Sequence, residues 1–114
     1  MSDQSFLSWP FFEDHHRNLS AELSQWAAAT VPDLIDHHDT DGSCRRLVRA
    51  LGEAGWLRVA VPASHGGLYP NFDVRALCLV RETLAYVSGL ADFAFAMQGL
   101  GTGPISLFGS DELK

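Results

Sequence analysis

The stretch Cys44-Arg45-Arg46-Leu47-Val48-Arg49-Ala50-Leu51-Gly52-Glu53-Ala54-Gly55-Trp56-Leu57 decides how this chain folds. Cys44, Leu47, Val48 and Leu51 fall at i, i+3, i+4 and i+7, which places four apolar side chains on one face of an α-helix. Asp41 or Ser43 can accept from the free amides at its start. Gly55 follows Ala54 where a left-handed residue closes a helix, and Trp56 and Leu57 are then expected to fold back onto it. Arg45, Arg46 and Arg49 take the opposite side as a solvated face. Such a helix has a defined end and one apolar stripe, so it needs other helices to cover that stripe.

Toward the N-terminus the pattern predicts a second element of the same kind. A helix is expected from about Pro10, with Glu13 and Asp14 near the positive end of its dipole. Phe12, Leu19, Leu23 and Trp26 recur at helical spacing, Ala27 to Ala29 support the far end, and Pro32 stops it. Residues 1–9 are expected to be a flexible segment. Residues 33–42 read as a polar, acidic connection.

Toward the C-terminus, residues 58–72 read as a Gly/Pro-rich loop. It holds a short extended run at Val59-Ala60-Val61 and turn signals at Gly66-Gly67 and Pro70-Asn71. Asn71 or Asp73 caps a third helix with Val74, Leu77, Cys78, Leu84 and Ala85 on its inner face. Leu79 and Val80 widen that face, which predicts a central helix ending at Ser88-Gly89. A fourth helix is expected from Leu90 to Leu100, then a short helical piece from Pro104 to Gly109. Ser110, Asp111 and Glu112 form a further helix start with no body behind it, so the domain is expected to be truncated at its C-terminal end. Strand signals are nearly absent. The expectation is an all-α bundle of four to five helices over residues 10–114.

Composition narrows the function classes. Fourteen acidic residues against eight basic give a formal net charge of −6, which argues against nucleic-acid binding. Cys44 and Cys78 lie far apart inside helical patterns, so a disulfide framework is not expected. The start of the chain lacks a basic segment followed by an apolar one, so no secretory signal is indicated, and a cytoplasmic location is expected. Residues 93–108 carry no charge, but Gln98, Thr102, Pro104 and three glycines favour a buried, broken helix over a membrane span.

Chemistry-bearing patterns are sparse. Gly99, Gly101 and Gly103 lack the strand and the spacing of a dinucleotide loop. The doublets His15-His16 and His37-His38 diverge by about 100° on a helix, so each offers one ligand at most to a metal, and they read as solvated surface. Glu82 is a lone carboxylate on the third helix, with an Arg partner as its expected role. No nucleophile motif is present. The residues by themselves therefore predict no catalytic, cofactor-binding or metal-binding side chain.

The order of the remaining punctuation resembles the N-terminal helical domain of the acyl-CoA dehydrogenase family. Leu51-Gly52-Glu53-Ala54-Gly55-Trp56-Leu57 resembles the end of that domain's second helix, and Val61-Pro62 with Gly66-Gly67-Leu68 resembles the loop after it. Arg81-Glu82-Thr83-Leu84-Ala85 resembles the third helix. Pro104-Ile105 and Phe108-Gly109-Ser110-Asp111-Glu112-Leu113-Lys114 resemble the start of the last one. The resemblance runs over residues 13 to 114. Two departures stand out: Ala63-Ser64-His65 where the family often has acids and an aromatic, and Gln98 where many members have His or Asn.

This resemblance implies a flavoenzyme that takes a proton and a hydride from adjacent carbons of an acyl thioester in fatty acid metabolism. The catalytic base and most FAD contacts would lie in a middle β-domain and a C-terminal helical domain, so residues 1–114 alone would be inactive and bind no FAD. The full protein would be a homo-oligomer acting on acyl-CoA or a related thioester, as a dehydrogenase, oxidase or monooxygenase. The fourth helix would wall the acyl pocket through Phe93, Ala96, Met97 and Leu100. The alternative is a stand-alone helical interaction module without catalytic activity.

Overall fold

The computed structural model describes residues 3–114, so Met1 and Ser2 of the expected flexible segment lie outside the described residues. Four α-helices account for most of the chain: α1 (Asp14–Leu34), α2 (Thr40–Glu53), α3 (Val74–Val87) and α4 (Gly89–Phe108). Helix α3 lies between α1 and α4, while α2 packs mainly on α4 and the turn that follows α2. Among the described residues there is no strand, only an isolated bridge between Pro62 and Tyr69. The molecule is all-helical.

The core is one cluster. Leu19, Leu23, Ala27 and Val31 form a row along α1, and Leu47 and Leu51 come from α2. Ala76, Val80 and Leu84 of α3 and Ala91, Ala94 and Phe95 of α4 complete it. Gly55 adopts φ +84° as a left-handed cap. Behind it Leu57 packs against Gly52, and Trp56 meets Trp26 at 5.9 Å between ring centres.

Several details differ from the sequence reading, each for a local reason. Helix α1 begins at Asp14, not Pro10, because Glu13 and His16 cap it together: Glu13 accepts at the third amide and its own N–H donates to His16 Nδ1. Residues 5–8 form a separate 3-10 turn with Leu7 buried, held by Arg17, which donates to the carbonyls of Leu7 and Phe12. Pro32 lies inside the last turn of α1 and does not stop it. Asp39, ahead of both expected candidates, caps α2 by accepting from the Gly42 N–H at 2.9 Å.

The run Val59 to Val61 is not an extended pair. Residues 56–60 form a 3-10 turn that buries Val59 and Ala60. The inner face of α3 is Ala76, Leu79, Val80 and Leu84, whereas Val74, Cys78 and Ala85 are exposed. Helix α4 runs through Pro104 unbroken. The proline sits beyond the packed half of the helix, and the Thr102 hydroxyl donates to the Gln98 carbonyl there. Nor is α4 buried throughout, since Leu100, Leu107 and Phe108 are exposed. Ser110 to Lys114 close a single turn through amides donating to the Ser110 carbonyl.

The molecule measures 40 × 36 × 18 Å. A thickness of 18 Å is about two helix diameters. In a slab that thin α3 is covered by both α1 and α4, and a long apolar face of α4 is left at the surface.

Candidate functional site

The exposed part of α4 borders a groove of about 370 Å³ between α3, α4 and the 56–60 turn. Its α4 wall is Phe93, Ala96, Met97, Gly99 and Leu100. Phe93, Ala96 and Leu100 follow one another at three- and four-residue spacing, so a single helix face presents them together. Ala60, Phe72 and Leu77 form the other side, and Phe95 reaches its floor from the core. Phe93 is 57% exposed and Leu100 67%, so two large apolar groups of this wall stand in water. A side chain added at Gly99 would stand 3.9 Å from the Ala60 Cβ, an ordinary contact across the groove.

One charged group lines the groove. Arg81 makes a two-pronged pair with Asp92, Nε to Oδ1 and Nη2 to Oδ2, each 2.9 Å. The paired carboxylate holds the guanidinium firmly in its charged form. The Arg81 charge is thus already satisfied within the domain. Glu82, expected to need an arginine, is exposed and takes no part in this pair.

A second cluster forms at the far ends of α1 and α3. His16 is completely buried; its Nδ1 accepts from the Glu13 N–H at 3.0 Å and its Nε2 lies 2.8 Å from Asp73 Oδ2. That pattern assigns a donor proton to Nε2. His15 Nε2 meets the same Oδ2 at 2.9 Å. The doublet therefore converges instead of diverging, because both rings bend back to one carboxylate and stack 3.9 Å apart. Asp73 also caps α3, accepting from the Ala76 N–H at 3.1 Å. Burial alone would raise its carboxyl; the bonds from His15, the Ala76 N–H and His16 override this and hold it at about 2.

Glu13, His15 and His16 lie close enough together to consider a metal ion. The hydrogen-bond pattern works against one. Both ring nitrogens of His16 are committed, and Glu13 Oε2 is held by Arg75 at 3.0 Å. A ligand histidine binding through Nε2 needs its proton on Nδ1, where the Glu13 N–H already points. The cluster works as a joint between two helices. The other doublet, His37 and His38, is exposed in the connection before α2.

The helix starts also bear on flavin binding. A pyrophosphate fits a helix N-terminus whose amides are free. Here Glu13, Asp39 and Asp73 already stand at the starts of α1, α2 and α3, and Asp92 lies in the first turn of α4. Acidic side chains therefore stand at or near the start of all four helices, and that of α4 is paired with Arg81.

Residues 13–114 match the family described as "Acyl-CoA dehydrogenase, N-terminal domain". The chain belongs to the acyl-CoA dehydrogenase family. Among its relatives is a "Probable acyl-CoA dehydrogenase" of Bacillus subtilis (strain 168), 31% identical over 106 residues, which are 90% of this chain and 17% of that protein. Another is the "Probable acyl-CoA dehydrogenase fadE25" of Mycobacterium leprae (strain TN), 30% identical over 102 residues, 89% of this chain and 26% of the relative. The chain thus spans about a sixth to a quarter of the length of these curated relatives. The all-helical architecture agrees with an acyl-CoA dehydrogenase N-terminal domain. Among the described residues no helix is long and apolar enough to cross a membrane.

For this acyl-CoA dehydrogenase domain, the four side chains singled out in the sequence fall together on the α4 wall of one groove. The sequence did not reveal Phe72 and Leu77, its opposite side. They come from the loop before α3 and from α3 itself, where an apolar residue looks the same whether it fills a core or faces a groove.

Proposed function

We propose that these residues are the N-terminal helical domain of an FAD-dependent acyl-CoA dehydrogenase of fatty acid metabolism. In this reading Phe93, Ala96, Met97 and Leu100 wall the acyl chain of the thioester substrate. The observation that carries it is the apolar groove lined by all four, with Phe93 and Leu100 left largely in water. An alkyl chain suits such a wall, since each buried CH₂ contributes roughly 0.8 kcal/mol.

The domain supplies binding surface, not chemistry. Among the described residues no carboxylate lines its groove, and Asp92, the partner of the lining Arg81, is held in that ion pair. The electron-accepting chemistry is that of FAD held by the rest of the protein, a middle β-domain and a C-terminal helical domain. Leu107 and Phe108 at the outer end of α4 then serve as packing surface toward those domains or a second subunit of a cytoplasmic homo-oligomer.

The test uses the full-length protein. Met97→Trp, which narrows the groove, raises KM for medium- and long-chain acyl-CoA at least several-fold while the yellow flavin absorbance is retained. Unchanged KM across all chain lengths overturns the acyl-wall reading. A colourless, folded full-length protein overturns the flavoenzyme reading.

A further inference from the structure

On the side of α3 away from the groove, a second cleft opens between α1 and α3, about 630 Å³ in volume. Its origin is legible in the helix rows. Leu19, Leu23, Ala27 and Val31 of α1 point into the core, and one residue further round stand Ser20, Ser24 and Ala28. These are small, so they leave a trough where larger side chains would have filled it. Leu79, Thr83 and Val87 form the facing row on α3. The eight-residue span of each row makes the trough about 12 Å long. The Asp3–Phe6 segment adjoins it, with Phe6 among its lining residues.

The charges in this cleft have one sign. Glu82 lines it, next to Tyr86, and Asp3 adds a second carboxylate. No Lys, Arg or His lines it among the described residues. Asp3 is fixed in place by accepting from the Ser5 N–H at 2.9 Å, which favours its ionised form. The aromatic rings of Phe6 and Tyr86 can face a cation as well as an apolar body.

We propose that the α1–α3 cleft binds a small amphipathic organic cation, an amine on an alkyl or aryl body. The apolar body lies along the Ser20-Ser24-Ala28 trough and the ammonium meets Glu82 and Asp3. A volume of this size suits a small-molecule site. The chain's excess of acidic residues favours the approach of cations. The cleft is separate from the acyl groove and shares no lining residue with it.

Calorimetric titration of the full-length protein with decylamine, decanol and decanoate tests the proposal. Decylamine binds about tenfold tighter than decanol, and decanoate more weakly still. Glu82→Gln, an exposed and nearly isosteric change, weakens decylamine about fivefold and leaves decanol unchanged. Ser24→Leu fills the trough and weakens both, with circular dichroism confirming that each variant is folded. Absent binding, equal affinity for all three, or decylamine binding that neither variant alters overturns it.

Discussion

The Nε2 of His16 donates to Oδ2 of Asp73 across 2.8 Å, tying the first turn of α1 to the N-cap of α3. His16 is sealed from solvent and receives the Glu13 N–H on its other nitrogen, so one imidazole caps α1 and holds the cap of α3. Residues 57 positions apart in sequence thereby fix the angle at which the central helix leaves the 58–72 loop.

Asp73→Ala removes a helix cap and the common acceptor of two histidines, leaving a buried donor unpaired. A loss of about 2–4 kcal/mol is expected in urea unfolding. Asp39→Ala, an exposed cap on α2, should cost only about 1 kcal/mol. If both variants lose the same small amount, the His16–Asp73 joint is not a structural tie.

The same carboxylate sets an acid limit. Its folded-state value of about 2 lies below the ordinary 3.8, so it contributes stability that is full above pH 4 and lost as pH falls through 2. The contribution is about 2 kcal/mol. Unfolding free energies measured from pH 5 to pH 2 should fall by about this amount more in the natural protein than in Asp73→Asn.

Gly67 and Gly66 should respond differently to alanine. A Cβ at Gly67 would collide with the Val61 carbonyl oxygen, inside the turn where Gly67 N–H donates to the Pro62 carbonyl. Gly66 has φ +87° with open space around it. Gly66→Ala should therefore cost about 1–2 kcal/mol in thermal unfolding, the price of a left-handed alanine. Gly67→Ala must displace backbone and should cost clearly more.

Phe93 and Phe95 separate folding from binding. Phe95 is 1% exposed at the centre of the core, and Phe95→Ala should lose about 3–5 kcal/mol. Phe93→Ala removes a side chain already in water and should change stability by less than about 0.5 kcal/mol. Its effect should be on KM for acyl-CoA in the full-length protein. A large stability loss from Phe93→Ala would show that it is a core residue.

Much of the fold was legible because it depends on local rules. The Gly55 cap, the cap at Asp73, the close of α3 at Ser88 and the apolar spacing of α2 each follow from a few neighbouring residues. The α4 wall was legible only through the family resemblance; helical spacing puts Phe93, Ala96 and Leu100 on one face but does not by itself tell a groove wall from a core. The His15-His16 joint was not. A doublet diverges on an isolated helix, and only a carboxylate arriving from α3 draws both rings to one point.

The sequence by itself determined the helical class and the family and bounded the helices at four to five, since helical period and turn chemistry are short-range. Only the tertiary structure decided which apolar side chains are core and which stand in water. Leu84 and Leu100 carry the same side chain in similar helices, yet one is fully buried and the other exposed. The difference comes from neighbours distant in the chain: α3 is covered by both α1 and α4, while the outer half of α4 has no third layer above it in a slab 18 Å thick.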